Sequence, residues 1–370
     1  MEPALWCVKY RPKEWDDFVG KESTINQLKS LAESSVYTNM IFYGPSGTGK
    51  TAAAEIFSRK ILTDSFSANY KMLNIRDVWD VPATKAKRSV QDLAKLGREE
   101  RSELDEYMSV VYREAKAARK LRGRSGEPTR SQLLQESIRF FASTGTVLDD
   151  KIKILVLDEA DALTYSMQQG LRRTMEMYSD ACRFILITPT LTGWSPAILS
   201  RSLVLRFPAS SLETTQDLIR EIASKEKVEV DDAAITAIAR ESNGDLRRAI
   251  SLLQIAHTAS PSVTEDVVYK YSETQLVNRV RKIVTLSLDG QYGPARKTLR
   301  NLLAIEGYSP QEVCLEIERD LVKRPFEPEI MTAVIDRVAE IDYRLLQGKN
   351  AFIHLTSLLA SLRVFVTEES

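Results

Sequence analysis

The sequence predicts an α/β core, a parallel sheet flanked by helices, followed by an all-helical C-terminal region. Three observations predict it. Asn39-Met40-Ile41-Phe42-Tyr43, Ile152-Lys153-Ile154-Leu155-Val156-Leu157 and Arg183-Phe184-Ile185-Leu186-Ile187 are short apolar runs of the kind buried strands need. Residues 44–51, Gly44-Pro45-Ser46-Gly47-Thr48-Gly49-Lys50-Thr51, fill every fixed position of the pattern G-x-x-x-x-G-K-[ST]. Residues 271–370 read as long amphipathic helices without a strand pair or a basic recognition helix.

The first strand runs directly into the 44–51 loop, and Ala52-Ala53-Ala54-Glu55-Ile56-Phe57 is a strong helix start behind it. In that setting the glycines free backbone N–H groups to wrap a phosphate chain, and Lys50 reaches the outer phosphates. The Thr51 hydroxyl can ligate Mg²⁺. The positive end of the helix adds to the same anion site. A nucleoside triphosphate site follows, with Gly44, Pro45, Ser46, Gly47, Thr48, Gly49, Lys50 and Thr51 as its binding residues.

The second run ends in Asp158-Glu159-Ala160-Asp161. Carboxylates at the C-terminal end of a parallel strand lie where open α/β sheets bind ligands. Asp158 is placed to hold Mg²⁺ through water, and Glu159 to polarise the attacking water. The stretch from Lys50 to Asp158 is long for such a core, so a segment is inserted between the strands. Beyond the third run, Ser200-Arg201-Ser202 and Asn243-Gly244-Asp245-Leu246-Arg247 each present an arginine. A guanidinium beside a γ-phosphate neutralises transition-state charge, and an isolated arginine is otherwise a solvated surface group.

Bulk properties bound the rest. A chain of 370 residues, 43% hydrophobic and 28% charged, suggests two or three globular domains. Its formal charge is zero, so any nucleic-acid contact must come from a local patch. Cys7, Cys182 and Cys314 are too few and scattered for a disulfide framework, and His257 and His354 have no metal-ligand spacing. The opening Met1-Glu2-Pro3-Ala4-Leu5-Trp6 is not a signal peptide. Ala351 to Val366 is too short and too interrupted to span a bilayer, so no membrane partner is expected. The expected location is cytoplasmic, or nuclear in a eukaryote.

These residues resemble the small subunits of replication factor C, the AAA+ clamp loader of archaea and eukaryotes. Trp6-Cys7-Val8-Lys9-Tyr10-Arg11-Pro12 with Asp16-Asp17-Phe18-Val19-Gly20 looks like the family's W-x-x-K-Y-R-P segment. Leu73-Asn74-Ile75-Arg76-Asp77 is a degenerate L-N-A-S-D. Leu171-Arg172-Arg173-Thr174-Met175-Glu176, the Ser-Arg-Ser triplet, Gly244-Asp245-Leu246-Arg247 and Gly348-Lys349-Asn350-Ala351-Phe352-Ile353-His354-Leu355 match further boxes. The resemblance implies an AAA+ core at 1–207, with an insertion at about 78–150, an all-α lid at 208–269 and an all-α collar at 270–370. It implies ATP and Mg²⁺ as ligands, with Val8 and Arg11 lining the adenine pocket. Arg247 would touch the γ-phosphate in cis, and Arg201 would be an arginine finger acting on a neighbour's ATP. The implied partners are the other small subunit and the large subunit of a heteropentamer, the sliding clamp (PCNA) and primer–template DNA.

Three departures separate the chain from the main family pattern. The asparagine that ends the sensor-1 strand falls on Pro189, with Thr188 or Thr190 as the substitute. Ser202 replaces the usual cysteine, and the 78–150 segment is longer and more charged. Together they make the chain look like the variant second small subunit of some archaeal loaders. Two alternatives stay open: an ATP-binding subunit that supplies Arg201 without hydrolysing its own nucleotide, and another AAA+ DNA machine such as a junction helicase motor or an initiator.

Within the insertion, Gln91 to Leu121 favours helix, interrupted at Gly97, and Gly123-Arg124-Ser125-Gly126-Glu127-Pro128 reads as a mobile loop. Arg113, Lys116, Arg119, Lys120, Arg122 and Arg124 crowd this stretch against Glu114, with Arg113, Lys116 and Lys120 on one helical face. The segment reads as a solvated helix, as a contact of Arg113, Lys116, Arg119 and Lys120 with DNA phosphates or the clamp, or as a subunit contact.

Overall fold

The computed structural model describes residues 5–34, 37–97, 100, 102–146, 152–272, 275–305, 308–347 and 350–367. Met1 to Ala4 of the opening segment, Gly348 and Lys349 of the last box, and parts of the insertion (98, 99, 101, 147–150) lie outside them. The chain divides into two compact units, Met1–Glu265 and Asp266–Ser370. Among the described residues no helix is long and apolar enough to cross a membrane.

The first unit is built on a five-stranded parallel sheet. Its strands are β1 (Asn39–Tyr43), β2 (Tyr70–Asn74), β3 (Lys153–Asp158), β4 (Cys182–Thr188) and β5 (Ser202–Arg206), in the order β2-β3-β4-β1-β5. The three runs singled out by apolar content are the three central strands, which must be covered on both faces. In register, Tyr43 pairs with Thr188, Leu157 with Leu186 and Asn74 with Asp158. The C-terminal ends of β1, β3 and β4 therefore open at the same edge, where the loops after them meet.

Alternate residues of each strand feed opposite layers. Met40, Phe42, Ile154, Val156, Ile185 and Ile187 pack with Ala53, Ala54 and Phe57 of the helix Lys50–Leu62. Ile41, Leu155, Leu157, Phe184 and Leu186 pack in the other layer, with Met108, Val111 and Tyr112 of α1 (Glu103–Leu121) and Leu134, Ile138 and Phe141 of α2 (Arg130–Ser143). The inserted segment is thus one wall of the core.

α1 is set by both of its ends. Ser102 accepts from the Asp105 amide at 3.1 Å, and Glu103, Asp105 and Glu106 occupy the first turn while Arg119 and Lys120 occupy the last. That distribution complements the helix dipole, so part of the basic run serves the helix itself. The expected mobile loop is clipped down. Arg119 donates to Gln132 Oε1 at 2.7 Å and to the Ser125 carbonyl at 2.8 Å. Tyr112 donates to Glu127, which also pairs with Lys87 at 3.2 Å. Arg113, Lys116 and Lys120 stay exposed on one face, whereas the Arg119 guanidinium is committed to holding the turn.

Two further helices complete the scaffold of the site, α3 (Tyr165–Met177) beside the sheet and α4 (Leu246–Ala259) in the helical segment after β5. The second unit is all-helical. Val280, Ile283, Leu299, Leu302, Ile317, Ile341, Leu355 and Leu358 form its core, supplied by helices that run from Gln275–Leu288 to Ala351–Thr367. One of them, Pro310–Val322, begins with a full capping box between Ser309 and Glu312.

Candidate nucleotide-binding site

β1 delivers the chain into the 44–51 loop, and the helix Lys50–Leu62 leaves it. Two glycines are forced by geometry. Gly49 takes φ 89° as the residue just before the helix, and Gly47 takes φ 64° with so little room that a Cβ would lie 1.7 Å from Asp245 Oδ1.

Lys50 is almost fully buried, and its ammonium donates to the carbonyls of Gly44 at 2.7 Å and Pro45 at 2.5 Å. Burial lowers its pKa below the usual lysine value, and the charges of Asp158 and Asp245 oppose that shift. The side chain is therefore a desolvated cation whose present partners are neutral carbonyls, a good seat for an anion.

Thr51 Oγ1 donates to Asp158 Oδ2 at 2.9 Å, joining the loop to the end of β3. Among the described residues no cluster of three His, Cys, Asp or Glu can hold a metal. A hydroxyl next to one carboxylate fits instead the Mg²⁺ habit of taking few protein ligands and filling its shell with water and phosphate oxygens.

Glu159 follows with φ 51° and ψ 42°, a left-handed backbone that costs about 1 kcal/mol outside glycine. Its carboxylate lies 3.1 Å from Arg76 Nε, and Arg76 also pairs with Asp161 at 3.1 Å. Arg76 comes from the short helix Ile75–Asp80 after β2, capped by the Asn74 side chain. The sequence quoted Arg76 only as a departure from L-N-A-S-D; its neighbour across β2 and β3 was not legible there.

At the end of β4, Pro189 lines the same cleft. Thr188 also lines it, but its hydroxyl is engaged, donating to the Thr190 carbonyl at 2.8 Å and accepting from Trp194 at 3.4 Å. Thr190 is exposed and donates to Thr192 Oγ1 at 3.0 Å.

The opposite wall comes from α4. Leu246, Arg247 and Ile250 line the cleft, and Asp245 caps the helix by accepting from the Arg248 amide at 2.9 Å. The same Asp245 accepts from Ser46 Oγ at 2.5 Å. Sequence gives no sign of this contact, since the two residues are 199 positions apart.

The remaining wall is the N-terminal segment. Cys7, Tyr10, Arg11, Pro12, Phe18 and Val19 line the cleft, and Arg11 pairs with Glu55 at 2.9 Å. Val8 is a correction: it is half exposed and does not line the cleft. The short helix Trp6–Lys9 is pinned by Trp6, which stacks on His257 with ring centres 5.8 Å apart, and the turn then puts Cys7 and Tyr10 inward.

The cleft thus gathers Gly47, Thr48, Gly49, Lys50, Thr51, Asp158, Glu159, Arg11 and Arg247. Arg201 is not part of it. It stands exposed after Pro196–Leu199, with its guanidinium 3.0 Å from Glu176 and donating to the Ala197 carbonyl at 2.8 Å.

Comparison with known proteins agrees with this architecture. Residues 40–208 match the family model described as ATPase family associated with various cellular activities (AAA). Residues 217–258 match the RCF1/5-like AAA+ ATPase lid domain, and 277–361 the replication factor C C-terminal domain. The replication factor C small subunit of Haloarcula marismortui is 30% identical over 360 residues, covering 97% of this chain and 94% of that one. That of Archaeoglobus fulgidus is 29% identical over 358 residues, covering 97% of each. In structure, the Aeropyrum pernix ORC1 protein, solved in complex with DNA, aligns with TM-score 0.51 and 18% identity over 99% of this chain and 98% of that one, a likeness of fold. An AAA+ module followed by these two further matches, and near-complete alignment with those relatives, establish that the chain belongs to the replication factor C small-subunit family.

Proposed function

We propose that the chain is an ATP-binding subunit of the replication factor C clamp loader, helping to open the sliding clamp (PCNA) and place it on primer–template DNA. As a member of an AAA+ ATPase family it is a nucleotide-binding protein of a multisubunit complex. The observation that carries the finer reading is the division of labour among its cations. Lys50 and Arg247 line the cleft, while Arg201 stands exposed outside it, available to a neighbour.

In this reading the 44–51 backbone and Lys50 hold the phosphates, and the Cys7–Val19 wall takes the adenine with Arg11 beside it. Thr51 and Asp158 would hold Mg²⁺, which when bound neutralises charge on the phosphate oxygens. Glu159 would accept a proton from the attacking water once Arg76 has released its carboxylate. Arg247 would contact the outer phosphate, and Arg201 would complete the site of the next subunit. We assign the core to 1–207, the lid to 208–269 and the collar that closes a heteropentamer with the other small subunit and the large subunit to 270–370. Binding energy from ATP would favour one of two ring states, and turnover would release it.

A second reading, an ATP-binding subunit that does not hydrolyse its own nucleotide, is favoured by Pro189 and by the engaged hydroxyl of Thr188. Both readings are tested by co-expressing the chain with the other subunits and measuring the mass of the assembly with and without clamp and ATP. Absence of an ATP-dependent clamp complex rejects the function. With the complex in hand, Lys50→Ala decides between the readings: a large loss of DNA-stimulated turnover supports hydrolysis here, and normal turnover supports the second.

A further inference from the structure

Arg201 is held from two sides. One amino group lies 3.0 Å from Glu176 Oε1, and the other donates to the Ala197 carbonyl at 2.8 Å. Glu176 Oε1 also accepts from Arg172 Nε at 3.0 Å, so two guanidiniums converge on one carboxylate oxygen.

The position of Glu176 is not explained by the helix that carries it. It sits in the last turn of α3, where a negative charge opposes the helix dipole. What stabilises it there is the pair of arginines. The hydrogen bond from Arg172 is the leading cause that lowers its carboxyl pKa below the usual value.

We propose that Arg172 and Glu176 are positioning residues: they seat Arg201 in an extended, oriented state for use on a nucleotide bound by a neighbouring subunit. Glu176 fixes the guanidinium plane, and Arg172 returns the positive charge that Glu176 alone would cancel, leaving the trio with a net charge of +1. A guanidinium has five N–H donors, so those not facing Glu176 and Ala197 stay available. Orientation set in advance lowers the ordering needed when the phosphate arrives. This inference rests on the reading of Arg201 as a cross-subunit finger.

The test uses the complex co-expressed with its partner subunits, each variant checked for intact assembly by native mass measurement. Glu176→Gln and Arg172→Ala should each lower kcat about tenfold with little change in KM for ATP, the size expected for a misoriented group. Arg172→Lys should recover part of the loss. Affinity for ADP with aluminium fluoride should fall in Glu176→Gln, while affinity for ATPγS stays unchanged. Unchanged kcat in both Glu176→Gln and Arg172→Ala, with Arg201→Ala inactive, overturns the seat and leaves the finger standing. A rise in kcat for Glu176→Gln also overturns it, since the carboxylate would then be a restraint. Full activity of Arg201→Ala removes the reading of Arg201 itself.

Discussion

Arg76 and Glu159 face each other across the ends of β2 and β3, with guanidinium and carboxylate 3.1 Å apart. Each comes from a strand end, Asn74 and Asp158 being in register, so the pair is fixed by the sheet. A carboxylate oxygen engaged by a guanidinium has fewer lone pairs free to accept from a water and orient it. Arg76→Ala should therefore raise basal ATP turnover of the assembled complex. Both side chains are about half exposed, which limits the pair to at most about 1 kcal/mol and the rise to about fivefold. Turnover that is equal or lower in a phosphate-release assay rejects this role.

The Thr51–Asp158 contact predicts a metal-dependent defect. Asp158→Asn should leave Mg²⁺-free ADP binding within about twofold and abolish most of the gain in ATP affinity that Mg²⁺ brings. Calorimetric titrations with and without Mg²⁺ check it; equal Mg²⁺ gains in both proteins rule out Asp158 as a ligand.

Lys50 gives a pH prediction. Its pKa is lowered by burial, so the folded, nucleotide-free protein loses this proton below the ordinary lysine value. Phosphate binding favours the charged form and raises the pKa again. Affinity for ATP should then fall as pH rises above the lowered pKa, by up to about tenfold per unit, until it meets the pKa of the bound state. In the free protein the sign is opposite. The unfolded chain holds more protons in the window below the lysine value, so the contribution of Lys50 to stability increases with pH there. Binding measured from neutral to alkaline pH on wild type and Lys50→Met tests the first, and denaturant unfolding of the two nucleotide-free proteins over the same range tests the second; parallel curves would count against either.

Because α1 is a wall of the core, Met108 is fully buried. Met108→Ala should destabilise the first unit by about 2–5 kcal/mol, as large-to-small core substitutions do. Denaturant unfolding followed in that unit measures it, and a change below about 0.5 kcal/mol would mean that α1 is a dispensable appendage.

The exposed face of the same helix carries Arg113, Lys116 and Lys120. If it lies along DNA phosphates, replacing all three by Ala should lower the log–log salt slope of DNA binding by about two to three units. An unchanged slope leaves them as a solvated surface that complements the helix dipole.

How much of this was legible in the sequence follows from burial. β1, β3 and β4 are central strands and announce themselves as apolar runs. The edge strands Tyr70–Asn74 and Ser202–Arg206 are only partly buried, and their mixed residues carry no such signal. The 44–51 loop and Asp158 were legible because phosphate and metal chemistry fix residue type at fixed spacing. Val8 was misplaced because the direction of a short helix depends on Trp6 meeting His257, about 250 positions away. Arg76–Glu159 and Ser46–Asp245 join distant segments, and no local pattern encodes such meetings. Gly123–Pro128 has a flexible composition, but Arg119 and Glu127 tie it down.

The short bond between Ser46 and Asp245 has a mechanical corollary. A polyphosphate settling on the 44–51 turn would bring its negative oxygens against the carboxylate already resting there, and at such range like charges repel strongly. Asp245 begins the helix that bears Arg247, so any retreat of that carboxylate tilts the helix and re-aims the arginine. On the proposed reading, occupancy would be translated into an angle of the lid, with a single acid as the lever.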